Sequence, residues 1–381
     1  MAESKGRTVR IALVHDYLTQ YGGAERVVEV IQKHFPDAPL FTGVLDLDAL
    51  PPDFKRIEIR ASFLNRIPGA GRRHRLFTPL YPLAFRQLGR QLADFDLVIA
   101  DSSAWSHHLK LESRQIVICY CHSPARFLYA DEDYLRAARL PGPVRFGIDA
   151  AAGGMRRLDH RAAQRVDRYL ANSRNVADRV KRAYGREARV VYPPVDVERF
   201  SIDESVTPED WFLVVSRLVP HKWIQLAVEV CSRAGIPLKI AGDGRARAEL
   251  EAIAGPSIEF LGQLDDNGVI SRLRRCKALI LPGAEDFGMT SVEAQAVGRP
   301  VIAYGKGGAL ESVIDEETGL FFREQTADSL LEAIERFQAR SWDPAAARAN
   351  AERFSTPRFL AELDEEIAYA VSDRKSGVSR R

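Results

Sequence analysis

The sequence predicts an α/β protein with two doubly wound, Rossmann-like domains that face a cleft. Its 381 residues are long for one hydrophobic core but natural for two domains of about 150–200 residues each. Short apolar runs alternate with helical patterns along nearly the whole chain, which is typical of parallel sheets covered by helices. The proline pair Pro193-Pro194 and the polar segment 201–210 interrupt this alternation and indicate a linker.

Apolar, β-branched runs in the first half indicate buried strands, and two helical patterns lie between them. The strands are predicted at Val9–Val14, Leu97–Ala100, Ile116–Cys121, Tyr169–Ala171 and Val190–Tyr192, and the helices at Ala24–Phe35 and Val176–Tyr184. The second half repeats the pattern. Its strands are predicted at Phe212–Val215, Leu238–Ala241, Ile258–Leu261, Ala278–Leu281 and Val301–Ala303, with helices at Ile224–Ala234, Arg245–Ala254, Asn267–Cys276 and Thr290–Val297. We predict domains over residues 1–195 and 196–355, followed by an amphipathic helix and a polar tail over 356–381.

Composition excludes several classes of protein. Apolar residues make up 46% and charged residues 28%, as in ordinary globular proteins. The sequence contains no apolar run long enough to span a bilayer, and its four cysteines lack framework spacing. The first ten residues lead directly into a predicted strand, so we expect no secretory peptide. We therefore expect a cytoplasmic protein. Residues 1–200 carry a formal charge of +9 and residues 201–381 a charge of −7, so we expect the basic half to face an anionic partner.

The sharpest motif is Glu285-Asp-Phe-Gly-Met-Thr-Ser-Val-Glu293, which follows a predicted strand and opens a helix. This placement brings two carboxylates to one strand end. It also leaves the amides of Phe287, Gly288, Met289 and Thr290 as donors for a phosphate or an anionic transition state. The spacing alone is equally compatible with acidic residues that merely favour a helix start.

Five segments in the same order resemble the retaining family 4 glycosyltransferases of the GT-B fold. They are Ala171-Asn-Ser173, Val191–Asp196, Ser216–Lys222, Glu285–Glu293, and Val301–Glu311 with Thr318–Leu320. Among branches, the pattern from Arg217 to Lys222 together with Glu285-Asp-Phe-Gly most resembles bacterial mannosyltransferases of O-antigen and exopolysaccharide synthesis. Two residues depart from the family pattern. Position 223 is Trp, where the family more often has Gly or Arg, and position 291 is Ser, where Pro is frequent.

The resemblance implies roles for individual residues. Glu285 would hold the hydroxyls of the donor sugar, and Glu293 the ribose of the nucleotide. Arg217 and Lys222 would bind the diphosphate, and two fixed cations at a strand end suit that charge. A solvated basic loop is the ordinary alternative for such a pair. The resemblance also implies that the final helix crosses back to brace the first domain.

Glycine-rich segments mark two further strand ends. Gly242 and Asp243 lie in Ala241-Gly-Asp-Gly244, which permits close approach of a nucleotide base but equally suits a simple tight turn. Gly22 and Gly23 open a helix after the first strand, where their amides could approach a phosphate or sugar, although the pattern lacks GxGxxG or P-loop spacing. His15 and Asp16 end that strand and could reach the cleft.

The segment Cys119-Tyr-Cys121-His122 ends another strand. A zinc site is disfavoured because no second Cys/His pair follows at ligand spacing, so the cysteines are expected to pack in the core. His122 resembles the cleft histidine that the family places near the reacting sugar, whereas a lone histidine is more often structural. Arg126 is a weaker candidate for binding the acceptor or a phosphate.

Residues 55–90 interleave nine basic residues with large apolar ones. The basic residues are Lys55, Arg56, Arg60, Arg66, Arg72, Arg73, Arg75, Arg86 and Arg90, and the apolar ones are Phe63, Leu64, Leu76, Phe77, Leu80, Tyr81, Leu83 and Phe85. This pattern suits anionic lipid headgroups. Nucleic acid would also accept it, but no recognition fold accompanies it, and an ordinary basic loop and helix remains the plain alternative.

Together with the resemblance, these observations predict a retaining glycosyltransferase that moves mannose from GDP-mannose to a saccharide acceptor. The acceptor is expected to be lipid-linked, and the reaction to belong to surface polysaccharide synthesis. No cofactor or metal is expected, because two side-chain cations replace an acidic metal-holding pair. Partners are the nucleotide sugar, the acceptor and an anionic membrane surface at the inner face of the cell membrane, with no nucleic acid. The alternatives are a UDP-sugar-dependent transferase of the same fold and a non-catalytic nucleotide-sugar-binding protein.

Overall fold

The computed structural model describes residues 3–4, 7–129 and 142–375, which form two compact units. One unit contains the described residues up to 192 and those from 359 onward, and the other contains Pro193–Arg358. The predicted polar tail beyond residue 375 and the side chain of Arg72 lie outside the described residues.

The first unit is built on a parallel sheet of seven strands. These are β1 (Ile11–His15), β2 (Leu40–Thr42), β3 (Ile59–Ala61), β4 (Leu97–Ser102), β5 (Ile116–Cys121), β6 (Arg168–Ala171) and β7 (Ala188–Val190). Its helices are α1 (Gly23–His34), α2 (Ala70–Arg73), α3 (Tyr81–Leu88), α4 (Gly142–Ala163) and α5 (Arg174–Tyr184), and a long 3₁₀ segment covers His74–Leu80. A two-residue antiparallel pair, Glu3–Ser4 with Arg7–Thr8, precedes the sheet.

The second unit contains a parallel sheet of six strands. They are β8 (Phe212–Val215), β9 (Leu238–Ala241), β10 (Ile258–Gly262), β11 (Ala278–Leu281), β12 (Val301–Tyr304) and β13 (Gly319–Phe322). Its helices are α6 (Ile224–Ala234), α7 (Arg247–Ile253), α8 (Asp266–Arg275), α9 (Met289–Ala296), α10 (Ala309–Ser312), α11 (Ala327–Gln338) and α12 (Pro344–Glu352).

Both sheets have the same strand order, which places their ligand-binding edges. The orders are β3-β2-β1-β4-β5-β6-β7 and β10-β9-β8-β11-β12-β13, so the direction of winding reverses between β1 and β4 and between β8 and β11. Ligands of doubly wound sheets bind outside the carboxyl ends of the strands at such a reversal. The prediction of two Rossmann-like sheets is confirmed, and each now has a defined switch point.

Residues 359–375 of the last helix, α13 (Thr356–Lys375), pack on the first unit. The Phe359 ring lies edge-on to Tyr120 with 5.6 Å between centroids. Glu366 forms an ion pair with Arg168, and Asp364 lies 3.0 Å from His34. The helix therefore contributes both apolar and ionic contacts to this unit.

Candidate functional site

The switch point of the second unit brings Lys222 and Glu285 into direct contact. Lys222 ends a 3₁₀ turn after β8, and Glu285 lies in the loop after β11. The Lys222 ammonium donates to both oxygens of the Glu285 carboxylate, at 2.7 and 2.5 Å, and both side chains are less than one-fifth exposed. Arg217 is exposed in the same loop as Lys222. Three residues predicted from two motifs thus lie on the two loops that flank the switch point.

Glycine shapes the loop that carries Glu285. The Gly308 amide donates to the Glu285 carbonyl at 2.8 Å, which pairs the loops that follow β11 and β12. A Cβ on Gly308 would lie 2.3 Å from the Asp286 carbonyl oxygen and from the Phe287 Cα. No side chain fits at this position without displacing the backbone that places Glu285.

We expect Gly308→Ala to move this loop and weaken nucleotide-sugar binding. Overpacking of this kind costs typically about 1–3 kcal/mol, and here it falls on backbone rather than on a flexible side chain. Gly305→Ala is the matched control, because Gly305 lies in the same loop as Gly308. A Cβ on Gly305 would meet its nearest neighbours at 3.4 Å, an ordinary van der Waals distance. Thermal shift with a nucleotide sugar measures the effect, and equal ligand stabilisation of both variants would contradict it.

The predicted anion-binding amides lie at the beginning of α9. Its N-cap, Gly288, has a left-handed backbone (φ 88°, ψ 61°), Met289 and Thr290 open the first turn, and Phe287 is buried just before it. The first amides of a helix have no carbonyl partner within the helix, and the positive end of its dipole lies there. Glu293 lies one turn further on and is buried. The geometry is that of a helix start suited to an anion.

Ser291, where the family often has proline, points into the protein. Its amide donates to the Gly288 carbonyl at 2.9 Å, a hydrogen bond that proline cannot make. Its hydroxyl lies 2.7 Å from that of Ser312 in a buried network with Gln295 and Asn350. Ser291 therefore supports α9 from beneath.

Trp223 has a left-handed backbone, with φ 54° and ψ 27°. This conformation costs a residue with a side chain roughly 1–2 kcal/mol, and glycine adopts it freely. This backbone conformation explains why glycine suits the position directly after Lys222. With Trp at position 223, the protein adopts the conformation at a cost in free energy.

Gly242 and Gly244 permit two loops to lie in contact. Cβ atoms would meet the Ser216 carbonyl oxygen at 1.9 Å and the Leu218 carbonyl oxygen at 2.4 Å. Asp243 is exposed between them, and its carbonyl accepts from the Leu218 amide at 2.9 Å. These glycines thus hold the Arg217 loop against the loop after β9, which gives them a steric role whether or not a base also binds there.

The switch point of the first unit contains a buried chain of hydrogen-bonded histidine and carboxylate side chains. The Asp101 carboxylate, at the end of β4, lies 2.7 Å from His15 Nδ1 and 2.9 Å from His122 Nε2. On its other side, His15 Nε2 lies 3.8 Å from Glu25. The His122 amide donates to the Ser102 carbonyl at 2.7 Å, so both backbone and side chain fix this histidine. Asp101 connects the two histidines.

Electrostatics make His15 a cation. Burial by itself would lower the pKa of the His15 imidazole, but hydrogen bonds to Asp101 and Glu25, with their charges, raise it to about 10. Burial likewise opposes ionisation of Asp101, yet the contacts with His122 and His15 hold the pKa of that carboxyl below its usual range. The pKa of Glu25 is also lowered, against the effect of burial, by His15.

Gly22 and Gly23 form the beginning of α1. The Gly22 amide donates to the Glu25 carboxylate at 2.9 Å, so this amide already has an anionic partner within the chain. Gly23 is the first residue of the helix and is exposed. The glycine pair therefore belongs to the His15–Glu25 cluster.

Asp16 has a structural role that differs from the expectation that it could reach a cleft. Its carboxylate accepts from the backbone amides of Ser103, Trp105 and Ser106 at 2.5–2.8 Å, and it is 1% exposed. It fixes the loop after β4, and three backbone amides already occupy acceptor positions of its carboxylate.

Within the part of the chain that the structure describes, one group of side chains has metal-ligand chemistry: His107, His108 and Asp159. The Nε2 atoms of both imidazoles lie at hydrogen-bond distance, 2.9 and 2.7 Å, from the same Asp159 oxygen. Each histidine therefore already has Asp159 as a hydrogen-bond partner. Cys119 and Cys121 are free and buried, as predicted from their spacing.

The basic segment divides into core and surface. Leu64, Tyr81 and Phe85 are buried in the core, contrary to a uniformly exposed apolar surface, because helical periodicity turns them inward. Leu76, Leu80 and Leu83 are 72%, 40% and 57% exposed. We call these three leucines, with the exposed Arg73, Arg75, Arg86 and Arg90, the arginine–leucine surface.

Sequence reasoning missed Asp101 and the role of Glu25. Asp101 meets His15 only because β4 lies beside β1, which spacing along the chain does not reveal. The available signal was a carboxylate at the end of an apolar strand, as for His15 and His122. Asn172 was quoted only within a motif, yet its amide donates to the His122 carbonyl at 3.2 Å.

Comparison with known families matches both halves of the chain. Residues 21–199 match Glycosyltransferase Family 4, and residues 198–354 match Glycosyl transferases group 1. The two halves belong to these families, and the chain is a glycosyltransferase of the GT-B fold.

Relatives and solved structures agree with this membership. The mouse alpha-1,3/1,6-mannosyltransferase ALG2 is 26% identical over 92% of this chain and 94% of its own. A Corynebacterium glutamicum GDP-mannose-dependent monoacylated alpha-(1-6)-phosphatidylinositol monomannoside mannosyltransferase is 29% identical over 48% of this chain and 55% of its own. Anabaena Alr3699/HepE, solved in complex with UDP-glucose, has a similar fold, with a TM-score of 0.72, 19% identity, and coverage of 94% of this chain and 99% of its own. Among the described residues, every helix is too short or too polar to span a lipid bilayer.

Proposed function

We propose that this glycosyltransferase moves a mannosyl group from GDP-mannose to a saccharide acceptor, with retention of the anomeric configuration and without a metal. The observation that carries the proposal is the Lys222–Glu285 ion pair at the switch point of the second unit. A nucleotide sugar presents complementary groups to each partner, a diphosphate for the ammonium and hydroxyls for the carboxylate. The mannosyltransferase activities of ALG2 and of the corynebacterial relative support mannose as the donor sugar.

In the proposed mechanism, Arg217 and Lys222 stabilise the diphosphate as the bond from the anomeric carbon to the phosphate oxygen breaks. The electron pair of that bond stays on the phosphate oxygen. The acceptor oxygen forms its new bond to the same face of the anomeric carbon, and the acceptor proton passes to the departing phosphate. The amides at the start of α9 favour the developing charge. Glu285 holds the sugar hydroxyls, and Glu293 holds the ribose.

The first unit supports front-face attack, because two of its candidate bases are engaged. Inversion requires a base behind the sugar. His15 carries a proton at neutral pH, since its pKa is raised to about 10, with Nδ1 on Asp101 and Nε2 towards Glu25. Asp16 is occupied by three backbone amides. His122 remains as the group near the reacting sugar, positioned by Asp101.

The test is turnover of GDP-mannose in the presence of EDTA, followed by proton NMR of the anomeric signal. We expect EDTA to leave the rate unchanged and the first product to carry an α-linkage, as the donor does. A β-linked first product would overturn retention, and strict dependence on Mn²⁺ or Mg²⁺ would overturn the assignment of the phosphate site.

A second candidate is a UDP-sugar-dependent transferase, favoured by the solved HepE complexes with UDP and UDP-glucose. Competition between GDP and UDP for the donor site separates the two candidates. Tighter inhibition by UDP than by GDP would replace mannose with a UDP-linked sugar, whereas the roles of Lys222 and Glu285 would stand.

We further propose that the arginine–leucine surface binds an anionic membrane, where a lipid-linked acceptor would be reached. Each basic residue near such a surface contributes about 1 kcal/mol, and salt weakens the attraction. We expect binding to phosphatidylglycerol vesicles at low salt and release at high salt. Joint substitution of Leu76→Ser and Leu83→Ser should lower the partition coefficient roughly tenfold or more, since burial of one leucine contributes about 1.5–3 kcal/mol.

Leu158→Ser is the matched control for vesicle binding, because Leu158 is 51% exposed in the same unit but lies on α4. Equal binding to neutral phosphatidylcholine vesicles, or an equal effect of the control, would contradict the assignment of this surface.

A further inference from the structure

Three buried side chains of the first unit have metal-ligand chemistry and take no part in the proposed transfer. His107 and His108 lie in the 3₁₀ turn Ser106–His108 in the loop after β4, and Asp159 lies near the end of α4. The three residues are 3%, 5% and 0% exposed. One ligand atom from each lies within 4.8 Å of the other two. The cluster therefore joins the loop after β4 to α4 within the protein interior.

Hydrogen bonds inside the cluster use one oxygen of the carboxylate. Nε2 of His107 and Nε2 of His108 lie 2.9 and 2.7 Å from Oδ1 of Asp159. Oδ2 is also buried, and it has no hydrogen-bond partner among the residues that the structure describes. The same holds for the buried hydroxyl of Tyr184, whose ring centroid lies 5.6 Å from that of His107. Buried polar atoms without a partner require an explanation, and a bound ion is one of the ordinary explanations.

The spacing of the ligand atoms is close to that of a zinc site. Zn²⁺ binds histidine nitrogen at about 2.0–2.1 Å and carboxylate oxygen at about 2.0–2.2 Å, so neighbouring ligand atoms of a tetrahedral site lie about 3.4 Å apart. The two contacts with Oδ1 are shorter than this by only about half an ångström. With a metal bound, Asp159 would use Oδ1 and Oδ2 together, which gives its second oxygen a partner.

His107 also has the supporting contact that is typical of metal-binding histidines. Its Nδ1 lies 3.3 Å from the hydroxyl of the buried Ser102, at the end of β4. Such a partner fixes the orientation of the ring and leaves Nε2 for the metal. The ring of the buried Trp105 lies 5.4 Å from that of His108 and helps to exclude water. A closed setting of this kind is typical of structural metal sites, because catalytic sites keep an open position.

We propose that His107, His108 and Asp159 bind one zinc ion, which holds the loop after β4 against α4. The loop begins at the strand end where Asp101 lies, and three of its amides donate to Asp16. The zinc ion stabilises this loop at the switch point of the first unit. It takes no part in the transfer step, which the proposed function assigns to the cations of the second unit.

The test begins with elemental analysis of the full chain, produced with zinc in the medium and without an affinity tag. We expect about one zinc ion per chain. Loss of a supporting residue typically lowers metal affinity about 10–100-fold, so Asp159→Asn and His108→Gln, which remove ligands, should each lower bound zinc roughly tenfold or more. His160→Gln is the matched control, because His160 is the next residue of α4 and is exposed. Zinc that stays with both ligand variants, or that is lost equally from the control, would indicate an adventitious ion only and overturn the proposal.

A second measurement keeps the test decisive where the ligand variants do not fold. The unsubstituted protein is unfolded in urea with EDTA, separated from the chelator and refolded with or without Zn²⁺. Zinc should raise the midpoint of thermal unfolding, because it binds the folded state. A cluster held by hydrogen bonds alone needs no metal, so equal midpoints with and without zinc would overturn the proposal.

Ser102→Ala tests the supporting contact with a milder change. Competition with a chromophoric chelator measures the zinc affinity of the refolded protein, which should fall about 10–100-fold in this variant. Substitution with Co²⁺ adds a spectroscopic signature, since cobalt bound by two histidines and a carboxylate absorbs visible light. Unchanged zinc affinity and an unchanged cobalt spectrum in Ser102→Ala would remove His107 from the ligand set and overturn the site as proposed.

The zinc site and the metal-independent transfer can fail separately. Brief EDTA treatment of the folded protein leaves an ion with three buried ligands in place, so an unchanged rate agrees with both proposals. Zinc content is measured in the same sample. A rate that falls while zinc stays bound would contradict transfer without a metal and leave the zinc site standing. A metal-free protein that refolds to the same midpoint and turns over at the normal rate would overturn the zinc site alone.

Discussion

Lys222→Ala should lower kcat/KM by roughly 10²–10³, the usual scale for the loss of one charge-stabilising donor. The ammonium donates to both Glu285 oxygens at 2.7 and 2.5 Å, so its removal has two consequences. In the proposed site, the diphosphate would lose a fixed cation as its charge grows, and Glu285 would lose the partner that fixes its carboxylate. Steady-state kinetics with the nucleotide sugar measures the change.

Lys277→Ala is the matched control for this experiment. Lys277 forms an ion pair of 2.6 Å with Asp210 and precedes β11, whereas Glu285 follows the carboxyl end of the same strand. The control removes a more exposed lysine–carboxylate pair at the other end of the same strand, so we expect near-normal turnover. A folded Lys222→Ala protein that also turns over at the normal rate would remove Lys222 from the phosphate site.

The sequence predicts individual strands, but it does not predict the strand order that creates the two switch points. The buried central strands were predicted to within a few residues, because each consists mainly of apolar residues. β2, β3 and β13 were missed. β2 and β3 have only three residues each, and the side chains of β3 are not buried, so neither resembles a buried run. β13 begins with a glycine, which weakens its strand pattern.

The candidate site of the second unit was largely predictable, because its residues lie in short motifs directly after strands. Glu285 and Lys222 were identified singly, and only the neighbouring positions of β8 and β11 join them. The cluster of the first unit was less accessible, since Asp101 is 86 residues from His15 and meets it only through sheet pairing. Charge balance within a core is a property of the fold and is not encoded in spacing.

Asp101→Asn should lower the free energy of unfolding by about 3–5 kcal/mol, the scale for removing one partner of a buried ion pair. Asp101 is 1% exposed and contacts both His15 and His122, so the substitution leaves a buried imidazolium with only Glu25 as a counter-ion. Asp96→Asn is the matched control, because Asp96 immediately precedes the same strand and its side chain is 26% exposed. Urea unfolding measures both variants, and the control should change by no more than about 1 kcal/mol.

The same substitution should change how stability depends on pH. His15 titrates near 6.5 when unfolded and at about 10 in the folded protein, so its stabilising contribution is complete below about pH 6.5 and is lost as pH rises through about 10. The lowered pKa values of Asp101 and Glu25 act oppositely: their contributions are present above about pH 4 and are lost on acidification. Between pH 7 and 10 the unsubstituted protein should therefore lose up to about 1.4 kcal/mol per pH unit from His15. Asp101→Asn should flatten this decline, because His15 then lacks its nearest anion. Parallel stability profiles for the two proteins across this range would show that Asp101 does not hold the proton on His15.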